Sequence, residues 1–357
     1  MKHFYLIIIL VSTLLLLASC TGAATTETPP SVLTVMTHDS FAVSEDVVKA
    51  FEEENEVSLV FLKSGDTGAA LNRAILTRNN PEADVFYGVD NTFLSRALQE
   101  GLFEPYTSPA LASLPEEFTR GLDGMVTPID FADVCINYDK SWFAERGLAV
   151  PQTLADLAKP VYRGEAGNGL LVVENPATSS PGLAFLLTTI SEYGEAGYLD
   201  YWRSLKQNGV VVVNDWETAY YTNFSASSGR GLQPMVVSYA TSPAAEVIFA
   251  SEPISDAPTA SITAENTCFR QVEYAGILKG AKQPELAKRF IDFMLGLVFQ
   301  EDMPLQMFVY PVNPAAALPE EFIKYAALAQ EPARLDPVLI SKNRDEWITA
   351  WTRVMLP

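Results

Sequence analysis

Six stretches of the chain set small polar, acidic or aromatic side chains directly behind runs that read as β-strands. In α/β sheets, ligands bind in the crevice beyond the carboxyl ends of the strands, so these stretches are where chemistry is expected. His38, Asp39, Ser40 and Phe41 follow a run at 32–37, and Asp66 follows one at 58–63. Asp90 follows 83–89, and Ser179 and Ser180 end the loop after 170–174. Trp216 comes three residues after 210–213, and Tyr239 lies in the run 235–240. Asp39, Asp66 and Asp90 together favour a cation. Ser179 and Ser180 precede a helix start, where free backbone N–H groups and the helix dipole favour an anion. Trp216 and Tyr239 offer rings that stack on a flat group or cover a cation. Each residue also has a plainer use: Asp and Ser cap helices, Trp packs in cores, and a lone His often has no role. Their joint position at strand ends is the stronger signal.

Composition removes other chemistries. The 357 residues hold 24 Lys plus Arg against 44 Asp plus Glu, a net charge of -20, so there is no broad cationic face for nucleic acid. Two His and three Cys are too few for a zinc site or a disulfide-dense scaffold. There is no GxSxG elbow and no P-loop. No cofactor, resident metal or enzymatic activity is expected. Tyr220-Tyr221 leave one alternative open, a tandem of phenolate ligands for ferric iron.

The elements that must position these residues alternate. Between the first three strands lie helices opened by Ser44 and running through 71–78; Asn91 then caps a further helix that Gly101 ends. This βαβαβ order predicts a largely parallel sheet covered by helices. Beyond Pro128 come strands at 133–138, 170–174, 210–213, 235–240 and 269–278. Helices are expected at 153–158, 181–193, 196–207, after Trp216, and at 284–299, 320–329 and 345–354. Two such α/β units joined by long strands suggest two lobes with a cleft between them.

The N-terminus carries Lys2, His3 and an apolar run at 6–18, which is shorter than a spanning helix and reads as a secretory signal. Leu17-Ala18-Ser19-Cys20 resembles the lipobox of bacterial lipoproteins, which implies a lipid on Cys20 and an exported, tethered protein. Residues 20–31 are rich in Thr, Pro and small side chains and read as a flexible tether. After removal of residues 1–19, His38 is the only histidine. Cys135 and Cys268 either pair or stay as buried thiols.

Several segments resemble, in order, the periplasmic thiamine-binding proteins of ABC importers. They are 35–41 (VMTHDSF), 83–91 (ADVFYGVDN), 176–183 (PATSSPGL), 216–220 (WETAY), 238–244 (SYATSPA), 282–287 and 310–312. The resemblance implies the two-lobed type II periplasmic-binding-protein architecture, an α/β fold with hinge-linked, parallel-rich sheets around a central cleft. After the signal peptide at 1–19 and the tether at 20–31, it implies a first lobe from 32–132 and 271–357 and a second lobe from 133–270. The runs 133–138 and 269–278 become crossing strands, which brings a hinge disulfide between Cys135 and Cys268 within reach. The implied ligand is thiamine or a thiamine phosphate. The implied partner is an ABC permease in the membrane, and a monomer is expected. By position, Ser179 and Ser180 meet a phosphate or the hydroxyethyl tail, Trp216 lies beside that tail, and Tyr239 lines the cleft. Asp66 and Asp90 serve the cationic or aminopyrimidine part, with His38, Asp39 and Ser40 nearby. Phe308 falls where the family has a ring-packing Trp. The chain departs from the family in three places. His38 stands for a stacking Tyr, Ala245 replaces another Tyr, and an insertion carrying a second Trp after Phe41 is absent. The alternatives are a binding protein for iron or another small ligand on this fold, a hydrolase of thiamine precursors, or a surface lipoprotein that carries nothing.

Overall fold

The computed structural model describes residues 31–164, 168–228 and 231–356. The signal region and Cys20 lie outside the described residues, as does all of the tether except Ser31, which begins the first strand. Among the described residues no helix is long and apolar enough to cross a membrane.

Among the described residues eleven strands form one sheet: β1 Ser31–Thr37, β2 Val57–Lys63, β3 Val85–Asp90, β4 Phe103–Glu104, β5 Thr127–Asp139, β6 Leu171–Glu174, β7 Val211–Val213, β8 Met235–Tyr239, β9 Thr259–Ile262, β10 Phe269–Leu278 and β11 Tyr310–Pro311. The main order is β2-β1-β3-β10-β5-β8-β6-β7. The pairs toward the two ends, β1–β3 and β8–β6–β7, run parallel, as the alternating helices require. The two halves meet at β10 and β5, which are antiparallel to each other and to their outer neighbours β3 and β8. β5 is 13 residues long because it pairs with β10 and β11 at one end and with β8 and β9 at the other.

The helices that matter most for the site and the core are α1 Glu45–Asn55, α2 Thr67–Thr77, α3 Leu94–Gln99, α4 Ser180–Gln207, α5 Ser242–Ile248, α6 Pro284–Met294 and α7 Pro337–Met355. The Ser44 side chain caps α1 by accepting from the Val47 N–H, and Val47 and Phe51 turn inward at helical spacing. Phe51 packs on Phe290 and Phe293 of α6, with centroids 5.0 and 5.3 Å apart, so the late chain returns to cover the first strands. Asp84 holds this return in place. It accepts from the Thr34 N–H at 3.0 Å and, with its other oxygen, from the Gln283 N–H at 2.9 Å. The first eleven residues of α4 are all buried, as a helix enclosed on every side must be. Gly194, at φ 69°, breaks that helix where the sequence predicts two.

Three expectations change. Asn91 does not cap a helix. Its side chain instead bridges to β10, donating to the Arg270 carbonyl and accepting from the Val272 N–H, and α3 starts at Leu94. The predicted helix at 284–299 is interrupted near Gly296, and a short second helix follows at Leu297–Gln300. The last helix begins at Pro337, capped by Asp336, rather than at 345. It packs Trp351 on Trp202 of α4 (5.4 Å, edge to face) and accepts from Gln99 of α3 through Ser341, so it touches helices of both regions. Cys135 and Cys268 form a disulfide between β5 and the residue preceding β10.

Candidate functional site

Where the two halves of the sheet face each other, a cavity holds about 730 Å³ of empty space, counting the part open to solvent. Its walls come from the strand ends and helix starts that the sequence singled out, together with β10 and the segment before β11. Among the described residues Asp66 and Glu273 line it, and no Lys or Arg does.

Asp66 opens α2. Its carboxylate caps the helix by accepting from the Thr67 N–H at 2.7 Å. It also accepts from the backbone N–H of Trp216, on the opposite wall, at 3.1 Å. Burial raises its pKa, opposed by the Ser179 hydroxyl and these N–H groups. Two residues on, the Gly68 N–H donates to the Thr178 carbonyl at 2.9 Å. A Cβ at Gly68 would sit 2.8 Å from the Ala177 and Thr178 backbone, so this approach requires glycine.

Below the cavity lies an acidic row. Asp90, Glu273 and Asp130 are register partners on the adjacent strands β3, β10 and β5. The Tyr87 hydroxyl donates to Asp130 at 2.5 Å and lies 3.3 Å from Glu273. His38 Nε2 stands 3.4 Å from Glu273 Oε1. Burial raises the pKa of Asp130 well above the carboxylate range, with the charge of Glu273 adding to it, and burial with the charge of Asp90 lifts Glu273 to about 8. Burial lowers His38, against the pull of Asp66 and Asp130. The imidazole has room only because residue 88 is glycine, at φ 96°; a Cβ there would lie 2.5 Å from His38 Cδ2.

The facing wall is aromatic. Trp216 stacks on Tyr220 (5.1 Å, 18° between planes) and meets Tyr221 and Tyr239 edge-on at 5.4 and 6.2 Å. Its indole N–H donates to Ser238 Oγ at 2.9 Å, which fixes the plane of the ring. The Tyr220 hydroxyl is buried and donates to Glu246 at 2.6 Å. Burial and that glutamate push its pKa well above its ordinary value. At the rim, Phe308 stands at φ 55° with its ring edge-to-face on Phe249, 5.0 Å away.

Of the residues picked from sequence, His38, Ser40, Asp66, Trp216, Tyr239 and Phe308 line the cavity, and so does Ala245. The other four sit behind or beside it. Asp39 is exposed and accepts from the Gly65 N–H at 2.8 Å, shaping the Asp66 loop. Asp90 is fully buried; it accepts from the Thr92 N–H and from the hydroxyls of Thr92 and Ser180. Ser180 is spent on that bond. The buried Ser179 hydroxyl faces Asp66 without completing a hydrogen bond of normal geometry. Glu273, Asp130, Tyr87 and Ser242 were not picked, and Tyr221 only as a possible iron ligand. For Glu273 and Asp130 a signal existed, because each is a lone acid between apolar neighbours (Val272 and Tyr274, Ile129 and Phe131) inside a strand.

A family model described as bacterial extracellular solute-binding protein matches residues 80–329. The chain is 32% identical over 329 residues to the thiamine-binding periplasmic protein of Escherichia coli K12, covering 91% of this chain and 93% of that one. It is 30% identical to the protein of the same name from Brucella suis, covering 92% and 94%. A solved periplasmic thiamin binding protein superposes with a TM-score of 0.78 at 29% identity, covering 92% of this chain and all of that one. Iron-bound HitA from Pseudomonas aeruginosa superposes with a TM-score of 0.73 at 21% identity, covering 92% and 100%, which speaks to the fold alone.

Proposed function

The chain belongs to the bacterial extracellular solute-binding proteins, and from that membership we propose that it captures thiamine or a thiamine phosphate outside the cytoplasmic membrane and delivers it to an ABC permease. The observation that carries this reading is the cavity's two-sided chemistry. An acidic wall of Asp66 and Glu273, with no Lys or Arg lining among the described residues, faces a rigid aromatic wall of Trp216, Tyr220 and Tyr239. A flat molecule with a fixed positive charge suits both sides. Thiamine has two flat rings, one of them a thiazolium. The thiamine-binding relatives and the solved thiamin-binding neighbour support the same ligand. Its role is binding and transport, not catalysis, and it acts as a monomer. Cys20 carries the lipid, with 20–31 as tether.

In this reading the ligand holds together a first lobe of 32–132 and 271–357 and a second of 133–270, which open about the crossing strands. Asp66 and Trp216 hold the ligand from opposite sides, with His38, Ser40, Tyr239 and Phe308 around it. Asp39, Asp90, Ser179 and Ser180 shape the loops and the helix start that carry them. The ferric alternative asks for a Tyr220 phenolate, yet that hydroxyl is buried and donates to Glu246. Mass spectrometry of small molecules released from the purified, denatured protein tests the assignment, with calorimetric titration of the stripped protein. Thiamine or its phosphates are expected. Iron-dependent colour lost in Tyr220→Phe, with no heat from thiamine, would replace this reading by the ferric one.

Gly68→Ala gives a second check. The added methyl meets backbone in the closed arrangement only, and overpacking of this kind costs about 1–3 kcal/mol. A ligand that selects the closed form loses the same amount, so the Kd for thiamine rises by about 5- to 150-fold while thermal stability is held. Unchanged affinity would mean that binding does not need this approach.

A further inference from the structure

Resting on the reading of the cleft as a site for a cationic solute, we infer that Glu273 is the buried counter-charge of the ligand, and that its carboxyl group releases a proton to solvent as the cation enters. Glu273 lines the cavity from the middle of β10, one of the two strands on which the halves of the sheet meet. It is the central member of the row Asp90, Glu273, Asp130. Like charges placed side by side on adjacent strands repel, so the row does not hold three ionised acids in the empty protein.

The groups that face Glu273 supply no fixed positive charge. Tyr87 and Asp90 face it from β3, Asp130 from β5, Asp66 from the start of α2, and Tyr239 from β8. His38, after β1, is the one base in contact, and burial keeps it on the neutral side. Asp130 accepts the Tyr87 hydroxyl and shares a side-chain hydrogen bond with Glu273, so these two acids are held together by protons and no cation neutralises either of them. The Glu273 carboxyl is therefore held protonated at neutral pH, consistent with its pKa near 8. A cation in the cavity removes the reason for that. The O–H bond of the carboxyl breaks, the carboxylate stays beside the ligand, and the proton leaves to the buffer. Asp66 does not take this part, because its charge is already met by the Thr67 and Trp216 N–H groups.

Binding and proton release are then linked. Affinity rises with pH until the carboxyl is ionised in the empty protein. From a pKa of about 8, the Kd for thiamine falls about thirtyfold between roughly pH 6.5 and roughly pH 9. Calorimetric titration in buffers of different ionisation enthalpy reads the protons directly, with thiamine and, at high concentration, N-methylpyridinium as a plain flat cation. Close to one proton is expected per cation bound near pH 7, and close to none in Glu273→Gln, whose Kd loses its pH dependence. Thiamine binding with no proton released, or release undiminished in Glu273→Gln, overturns the inference and leaves the vitamin assignment standing. Proton release with N-methylpyridinium but no binding of thiamine upholds the inference and removes the vitamin. If neither cation displaces a proton, Glu273 is not the counter-charge.

Discussion

Trp216→Ala is expected to raise the Kd for thiamine by at least about thirtyfold, the cost of losing an aromatic hot spot of 2 kcal/mol or more. The substitution is selective. Alanine keeps the backbone N–H that Asp66 accepts across the cavity, so the polar tie between the walls survives and only the ring is lost. The ring counts for much because it is already immobile in the empty site. Tyr220 lies flat against its back, Tyr221 and Tyr239 hold its edges, and Ser238 fixes its plane through the indole N–H. A ligand that stacks there pays little ordering entropy. Trp216→Phe, which keeps a flat face but loses the bond to Ser238, should fall between the two. Calorimetry with thiamine gives the affinities, and a thermal melt of each variant separates lost binding from lost packing. A Trp216→Ala protein that binds within threefold of wild type would show that the ligand does not use this wall.

Sequence went far in choosing these residues, for a physical reason. Loops at the carboxyl ends of strands are short and carry the polar side chains, so position along the chain translates directly into position at the cleft. Asp66 and Trp216 stand 150 residues apart and were both read this way; the fold brings them into hydrogen-bond contact. The same rule stops at the loop surface. It places Asp90 and Ser180 at the right edge, but it does not tell an open carboxylate from one already satisfied, and these two meet each other behind the cavity. Glu273 and Asp130 stand out in the sequence as lone acids in apolar runs, but their pairing was illegible. They lie inside strands, and only the antiparallel register of β10 between β3 and β5 sets them side by side under the ligand. The same register explains Asn91, which forgoes its helix to tie β3 to β10. Alternation of elements predicted the parallel ends of the sheet; the antiparallel centre depends on long-range pairing, which no local pattern specifies.

The disulfide belongs to that centre, and its removal is the second large effect expected. Cys135 and Cys268 are 133 residues apart and join the crossing strands at the end of their shared register, next to the pair Val134 and Phe269. A loop of this length carries a chain-entropy constraint of about 5 kcal/mol, and measured values for native bridges run to about 2–4 kcal/mol. The double variant Cys135→Ala, Cys268→Ala should therefore lose about 2–4 kcal/mol in urea unfolding, with a larger m-value because the uncrosslinked unfolded chain exposes more surface. Alanine is the right probe, since both sulfurs are buried beside Ala240 and Ala329, where a serine hydroxyl would add its own penalty. Reduced wild type should match the double variant if the constraint acts on the unfolded chain. Ligand affinity should change little, within about threefold, because the register that aligns Glu273 with Asp130 is held by the pairing from Phe269 to Ala275 without help from the crosslink. A stability loss below about 1 kcal/mol would mean that these strands stay associated in the unfolded state. A large loss of affinity at full stability would instead make the bridge a part of the site, acting through the same strands that carry the acidic row.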